Sequence, residues 1–367
     1  MSDDSLFTTK QLDILSAENQ TLLSDLIRIP SISKEEQKTA EVIASFCEKY
    51  SYSAQLIENN VLVQGKNFKV SKPTILLASH HDTVKPTPSW SREPFNPIVE
   101  NGKLYGLGSN DAGVCLVTLL QLFFTLDKKD VPFNVIFLAA AEEEISGKSG
   151  ISVVLPQLPK INLGVIGEPT SMDIAVAEKG LMVVDCVATG KSGHAARQEG
   201  INAIDIAMDD IKFIHSFKED NPSEALGPLK MTVTMINSGQ KHNVIPDSCS
   251  FVIDIRSTDT FNNEAVLKLL KNNLRSKFKE RSTRLQASSI GLENAFVRAA
   301  VKHGSKPYGS PTLSDQALIR DFPTVKISPG DSKRSHTADE YIYTSQLREG
   351  LEKFGRIFKT YIEDWRQ

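Results

Sequence analysis

Cysteine is scarce in this 367-residue chain, and its placement excludes two chemistries. The four residues, Cys47, Cys115, Cys186 and Cys249, lie far apart and never form a Cys-x-x-Cys pair. That spacing supports neither a thiolate zinc site nor a disulfide framework. Cys47 and Cys115 fall in apolar helical stretches, where a thiol acts as a small buried hydrophobe. A charge excess is also lacking, since 42 basic and 45 acidic residues leave a formal net charge of -3. Such a balance gives no basis for binding nucleic acid or an acidic membrane surface. No apolar run approaches the roughly 20 residues that a spanning helix needs. The opening Met1-Ser2-Asp3-Asp4 lacks the basic and apolar regions of a signal peptide, so a cytoplasmic protein is expected.

What remains is the composition of an ordinary globular protein, 40% hydrophobic and 24% charged. The length exceeds what one core usually supports, which argues for two domains. Ser33-Lys34-Glu35-Glu36 has the form of a capping box opening a helix through Tyr50. Strand patterns follow at 53–57, 61–64, 74–79, 133–141 and 163–167, with a hairpin turn at Asn101-Gly102 and an almost wholly apolar helix over 112–126. This alternation predicts an α/β domain.

From about residue 180 the pattern changes. Strands over 181–187, 230–235 and 251–256, with helices over 202–218 and 263–279, predict a separate small α+β sheet. The last helix places Leu347, Leu351, Phe354, Phe358, Ile362 and Trp365 on one stripe, which core packing explains. One domain (1–179 and 288–367) is therefore expected to be split by another (180–287).

Acids and histidines recur where the short apolar runs of the larger domain stop. They are His80-His81-Asp82, Asp111, Glu142-Glu143-Glu144, Glu168 and, in a polar loop, His336. Strand ends of an open α/β sheet share one rim, where distant residues converge. Carboxylates crowded there repel one another unless cations hold them, so a metal site is expected. Two zinc ions need a bridging carboxylate and two sets of terminal ligands, and His80, Asp111, Glu144, Glu168 and His336 supply that inventory. In extended backbone His80 and Asp82 share a face, so Asp82 can accept from the far nitrogen of His80, while His81 points away. One acid of the Glu142–Glu144 run is left to act as a base.

Ser79-His80-His81-Asp82, Leu104 to Asp111, Glu142-Glu143-Glu144, Gly167-Glu168-Pro169-Thr170 and Ser335-His336-Thr337-Ala338-Asp339-Glu340 together resemble the motif series of the dizinc amidohydrolases. That family includes acetylornithine deacetylase, succinyl-diaminopimelate desuccinylase, carboxypeptidase G2 and the aminoacylases. The resemblance covers essentially the whole chain. It implies a zinc-peptidase-like catalytic domain, with a mixed central sheet flanked by helices. A smaller ferredoxin-like α+β lid and dimerisation domain interrupts it. It implies two zinc ions per subunit, with cobalt as a substitute: His80 and Glu168 on one, Glu144 and His336 on the other, Asp111 bridging. Glu143 is implied as general acid/base, with Asp82 behind His80, since Glu142 to Gly147 fits the family's Asp/Glu-Glu-Glu-x-x-Gly spacing. In the insert, Gly190 to Ala196 resembles a lid loop whose His194 reaches the partner subunit's site and stabilises the oxyanion. Asn243 and Arg256 are implied as substrate contacts, Arg256 on the α-carboxylate. The chain departs from the family at His81, commonly Thr, and at Ala112-Gly113 after the bridging Asp.

Within the family the chain is most similar to acetylornithine deacetylases, in its length and in the stretches Ser310 to Asp315 and Gly330 to His336. The implied reaction is hydrolysis of N-acetyl-L-ornithine in arginine biosynthesis, by a homodimer. N-acyl-citrulline, N-succinyl-ornithine, N-succinyl-diaminopimelate and dipeptides stay open as substrates. A two-carboxylate glycosidase leaves the histidines without a task. A noncatalytic metal-binding module needs a missing ligand or base, and none is missing.

Overall fold

The computed structural model describes residues 5–197 and 199–366; Met1–Asp4, on which the signal-peptide reading rests, lie outside the described residues. The chain forms two compact units. The first runs to Val176 and adds Ile290–Tyr308 and Ser314 onward; the second comprises Ala177–Ser289 and Gly309–Leu313.

The first unit is built on a mixed sheet in the order Gln55–Ile57, Asn60–Gln64, Asn134–Ala140, Thr74–His80, Leu163–Gly167, Thr324–Lys326 and Ile174–Glu178. Adjacent strands from Asn134–Ala140 to Thr324–Lys326 are parallel, and the outer pairings are antiparallel. Thr74–His80 and Asn134–Ala140 are buried at every position. Alternate residues serve two cores, which is why both strands read as nearly unbroken apolar runs. Ile75, Leu77, Val135 and Phe137 pack with Thr9–Ile27, Val114–Asp127 and Thr344–Arg366. Leu76, Ala78, Ile136 and Leu138 pack with Ile151, Val154 and Ile319 on the opposite face.

One stretch, Ser109–Asp127, is long and apolar enough to cross a membrane by length and composition, against the expectation that none would be. It is 89% buried within the protein, as the central helix of a packed core must be. In the last helix Leu347, Leu351, Phe354 and Phe358 are buried, whereas Trp365 is 42% exposed at the end of the stripe. Phe358 sits among the rings of Phe133, Phe296, Phe354 and Tyr361. Phe358→Ala should destabilise this unit by about 3–5 kcal/mol in denaturant titrations. A loss below about 1 kcal/mol would contradict the packing described.

The second unit has a four-stranded antiparallel sheet in the order Lys230–Ser238, Ser248–Arg256, Met182–Thr189, Lys277–Glu280. Ala203–Ser216 and Asn263–Asn273 complete a β-α-β-β-α-β, ferredoxin-like succession around one core. One local expectation fails here for a physical reason. The helix expected over 263–279 stops at Asn273, because the buried Asp210 carboxylate takes the Arg275 and Ser276 N–H groups at 2.9 and 2.8 Å. The chain then enters the edge strand Lys277–Glu280. In Lys230–Ser238 a register shift between Val233 and Met235 breaks the alternation and leaves Met235 and Ile236 65% and 57% exposed.

Candidate metal centre

The carboxyl ends of the parallel strands carry the acids and histidines. His80 ends Thr74–His80, Glu142–Glu144 follow Asn134–Ala140, and Glu168 follows Leu163–Gly167. These three strands are direct neighbours, so their ends share one edge. Asp111 lies in the turn Ser109–Gly113 that opens the helix Val114–Asp127. His336, in the left-handed region at φ 58°, follows the single turn Ser332–Arg334.

These side chains form two groups of three that share Asp111: His80, Asp111 and Glu168, and Asp111, Glu144 and His336. Asp111 faces each group with a different oxygen, Oδ1 at 3.3 Å from His80 Nε2 and Oδ2 at 3.6 Å from His336 Nε2. Glu168 Oε1 is 3.8 Å from His80 Nε2, and Glu144 Oε2 is 2.8 Å from His336 Nε2. Ligands about 2.1 Å from a tetrahedral ion stand about 3.4 Å apart, so the spacing suits one divalent cation per group. The donors are imidazole nitrogen and carboxylate oxygen only, a set suited to zinc-like or harder ions.

The electrostatics agree with that fit. Burial works against a charged His80, yet Glu143, Asp111, Asp82 and Glu168 together raise its pKa well above the usual imidazole value. His336 is raised to about 9, chiefly by its hydrogen bond to Glu144. Glu143 is pushed well above the usual carboxylate value by burial, with Glu168, Asp315 and Glu144 adding and His80 opposing. The cluster carries more negative charge than its surroundings neutralise, and it draws positive charge inward.

Within the triple glutamate the three side chains have different tasks. Glu144 reaches His336, and Glu143 Oε2 lies 3.9 Å from His80 Nε2. Glu142 turns back into its own loop, where its Oε2 accepts from Ser149 N–H at 3.2 Å. A Cβ at position 147 would collide with that carboxylate, so Gly147 makes room for it.

Asp82 differs from the expectation in one respect. The shorter contact of His80 Nδ1 is to the main-chain carbonyl of Asp82, at 3.0 Å, with the carboxylate at 3.4 Å. The carboxylate instead accepts from the N–H groups of Glu143 and Glu144, at 3.0 and 3.1 Å, and from the Ser33 hydroxyl at 2.7 Å. Ser33 is therefore no helix cap; the helix spans Gln37–Lys49 with Glu36 at its start and no side-chain cap. His81 is buried away from both groups, its Nδ1 2.9 Å from Thr39 Oγ1 and its Nε2 3.0 Å from the Asn59 carbonyl.

Glu340 closes the His336 motif, and the sequence assigns it no task. Its buried carboxylate accepts from the N–H groups of Gly108, Asn110 and Asp111, at 3.0, 2.7 and 2.9 Å. It ties the Asp111 turn to the segment carrying His336. Burial, and then the nearby Asp111, push its pKa up to about 8.

The remaining candidates belong to the second unit. Gly193-His194 pairs with Val244-Ile245, and the Asn243 carbonyl accepts from Ala195 N–H at 3.1 Å, so His194 and Asn243 sit side by side. The His194 side chain is exposed, its Nδ1 accepting from Ala196 N–H at 3.2 Å. Arg256 is half-buried and clamped by Asp254, Nε to Oδ1 at 2.9 Å and Nη2 to Oδ2 at 3.2 Å.

Comparison with known proteins adds the following. Residues 176–282 match a peptidase dimerisation domain, and residues 60–164 match peptidase family M28. An acetylornithine deacetylase of Buchnera aphidicola (subsp. Schizaphis graminum) is 25% identical, over 93% of this chain and 97% of its own. A LysW-lysine/LysW-ornithine hydrolase of Sulfurisphaera tokodaii is 26% identical, over 89% and 90%. Among solved structures, aminopeptidase PepT from Bacillus cereus superposes with a TM-score of 0.76 at 19% identity, covering 95% of this chain and 98% of that one. An M20 family metallo-carboxypeptidase from Sulfolobus solfataricus gives a TM-score of 0.71 at 20% identity, covering 94% and 99%. The chain is thus similar over most of its length to acetylornithine deacetylases and to M20 metallopeptidases, which supports a metal-dependent amidohydrolase.

Proposed function

We propose that this protein is a zinc-dependent deacylase that cleaves the amide of an N-acyl amino acid, converting N-acetyl-L-ornithine to L-ornithine and acetate. The observation that carries the reading is the pair of three-residue groups sharing Asp111, with the Glu143 carboxylate beside them. In this reading His80 and Glu168 would hold one ion and Glu144 and His336 the other, with Asp111 common to both groups. The chemistry such cations would supply when bound is Lewis acidity toward the attacking water and the acyl carbonyl.

The chain's own groups do the rest. Glu143 takes a proton from the attacking water at its carboxylate and returns it to the departing amine nitrogen as the carbon–nitrogen bond breaks. Asp82 orients His80 and holds the N–H groups of Glu143 and Glu144, so the base and two ligands share one support. His194 donates to the developing oxyanion from a partner subunit, Asn243 lies near the acyl group, and Arg256 exchanges Asp254 for the substrate α-carboxylate.

The catalytic domain is assigned to 1–179 and 288–367, and the lid and dimerisation domain to 180–287. A homodimer is supported by the dimerisation-domain match and by the edge strand Lys230–Ser238, whose exposed Met235 and Ile236 suit pairing with a second copy. A cytoplasmic setting is supported by four cysteines that are all free and buried. The place of the reaction would be arginine biosynthesis.

A substrate panel tests the reading: N-acetyl-ornithine against N-acetyl-citrulline, N-succinyl-ornithine, N-succinyl-diaminopimelate and dipeptides. N-acetyl-ornithine should lead in kcat/KM by about tenfold or more, since a site built for one polar group strongly rejects analogues lacking it. A preference for dipeptides would replace deacylation by peptidase activity, and no amide hydrolysis anywhere in the panel would overturn the enzyme.

A further inference from the structure

Four successive backbone N–H groups, those of Ala141 to Glu144, each donate to a side chain rather than to a strand. The acceptors are Asn60 Oδ1 at 2.9 Å, Glu36 Oε1 at 3.2 Å, Asp82 Oδ1 at 3.0 Å and Asp82 Oδ2 at 3.1 Å. The chain has just left the strand Asn134–Ala140, and Glu142 takes the left-handed conformation at φ 53°. A non-glycine residue rarely adopts that conformation without outside support.

Glu36 supplies the support at Glu142 itself. Its residue is fully buried, and its carboxylate also accepts from Lys34 N–H at 2.6 Å and Asn59 Nδ2 at 2.9 Å. The same carboxylate thus joins three segments remote in sequence: the start of the helix Gln37–Lys49, the Asn59-Asn60 turn and the Glu142–Glu144 loop. Asn60, the next residue of that turn, holds Ala141. Asp82 holds the far side of the loop, so Glu143 projects from a peptide fixed on both flanks. None of the Glu36 contacts reaches the two candidate metal groups.

We propose that Glu36 is a positioning residue: it fixes the main chain of Glu142 and thereby aims the Glu143 carboxylate at the reacting water. The proposal rests on the reading of Glu143 as the base. A displacement of about 1 Å at a reacting group costs up to about a hundredfold in rate, so the effect falls on kcat.

The test uses the full-length zinc-loaded enzyme and N-acetyl-ornithine, with metal content and melting temperature measured beside kcat and KM. Glu36→Met fills the space without an acceptor; it should lower kcat about 30- to 100-fold, with KM within about threefold and two metal ions per chain retained. Glu36→Gln keeps one acceptor oxygen for Glu142 and should recover kcat to within about tenfold of wild type. If Glu36→Met does not fold, Glu36→Asp decides. It keeps the charge but withdraws the carboxylate by about 1.5 Å, and should lower kcat about tenfold or more. Wild-type kcat in folded, metal-loaded Glu36→Met or, in its place, Glu36→Asp overturns the proposal. So does a loss of activity that merely tracks lost metal or lost folded protein. Glu143→Gln, assayed in parallel, separates the two ideas: if that variant stays active, the base assignment fails and the positioning role falls with it. If it is inactive while the Glu36 variants are normal, only the positioning role fails.

Discussion

Glu143→Gln should lower kcat by about 10²- to 10⁴-fold while KM changes little, the range expected when a general base is lost but binding is kept. The substitution preserves shape and removes only the ability to accept and return a proton. Its backbone N–H still reaches Asp82, so the loop and the neighbouring Glu144, proposed as a ligand, stay in place. Glu142→Gln is the natural comparison, because the Glu142 carboxylate is spent on Ser149. It should lower activity far less, mainly through the stability of the loop. A Glu142→Gln enzyme that is dead beside an active Glu143→Gln would move the base by one residue. Equal loss in both would mean that the loop, rather than a single carboxylate, was being measured.

Removing metal should be as severe. Lewis-acid stabilisation amounts to several kcal/mol, which corresponds to a loss of about 10³-fold or more after chelation. Activity should return on adding zinc and, as a substitute, cobalt. Metal that binds only the folded state also stabilises it, so the metal-free protein should melt at a lower temperature. Asp111→Asn sharpens the test. It keeps the shape of the shared carboxylate but removes its charge, and both ions should then bind more weakly together, which metal titration would register. Full activity in the chelated protein would end the metal mechanism. Loss of a single ion in Asp111→Asn would show that Asp111 serves one position only.

The architecture was legible because its strongest signals are local. Central parallel strands covered on both faces read as unbroken apolar runs, and Thr74–His80 and Asn134–Ala140 are such strands. Two misreadings, at Ser33–Glu36 and at the end of the helix expected over 263–279, share one physical origin, a long-range polar contact that overrides local pattern. Ser33-Lys34-Glu35-Glu36 has the form of a capping box, but Ser33 is drawn to Asp82 and Glu36 to Glu142, 49 and 106 positions away. Asp210 ends a helix 65 positions downstream in the same way. The bulge at Val233–Met235 leaves no mark on the alternation of residue types.

At the candidate site, the acids and histidines could be picked out at the ends of apolar runs. Their grouping depends on strand order, which composition and spacing do not contain. The contacts of Glu36 and Glu340 were hidden for a different reason. Their partners are mainly backbone N–H groups, which every residue but proline possesses, so no pairing of residue types betrays them.

Asp111 presents one oxygen to each group, but the two imidazoles are unlike: the His80 side chain is 1% exposed and that of His336 55%. The shared carboxylate makes the positions a single electrical object, in which the first ion to arrive reduces the charge that attracts the second. With both positions filled, the solvent-facing one beside His336 should be the first to empty and the faster to exchange. In the proposed reading, a preparation short of metal should therefore keep its ion at the inner position while the outer one stands empty.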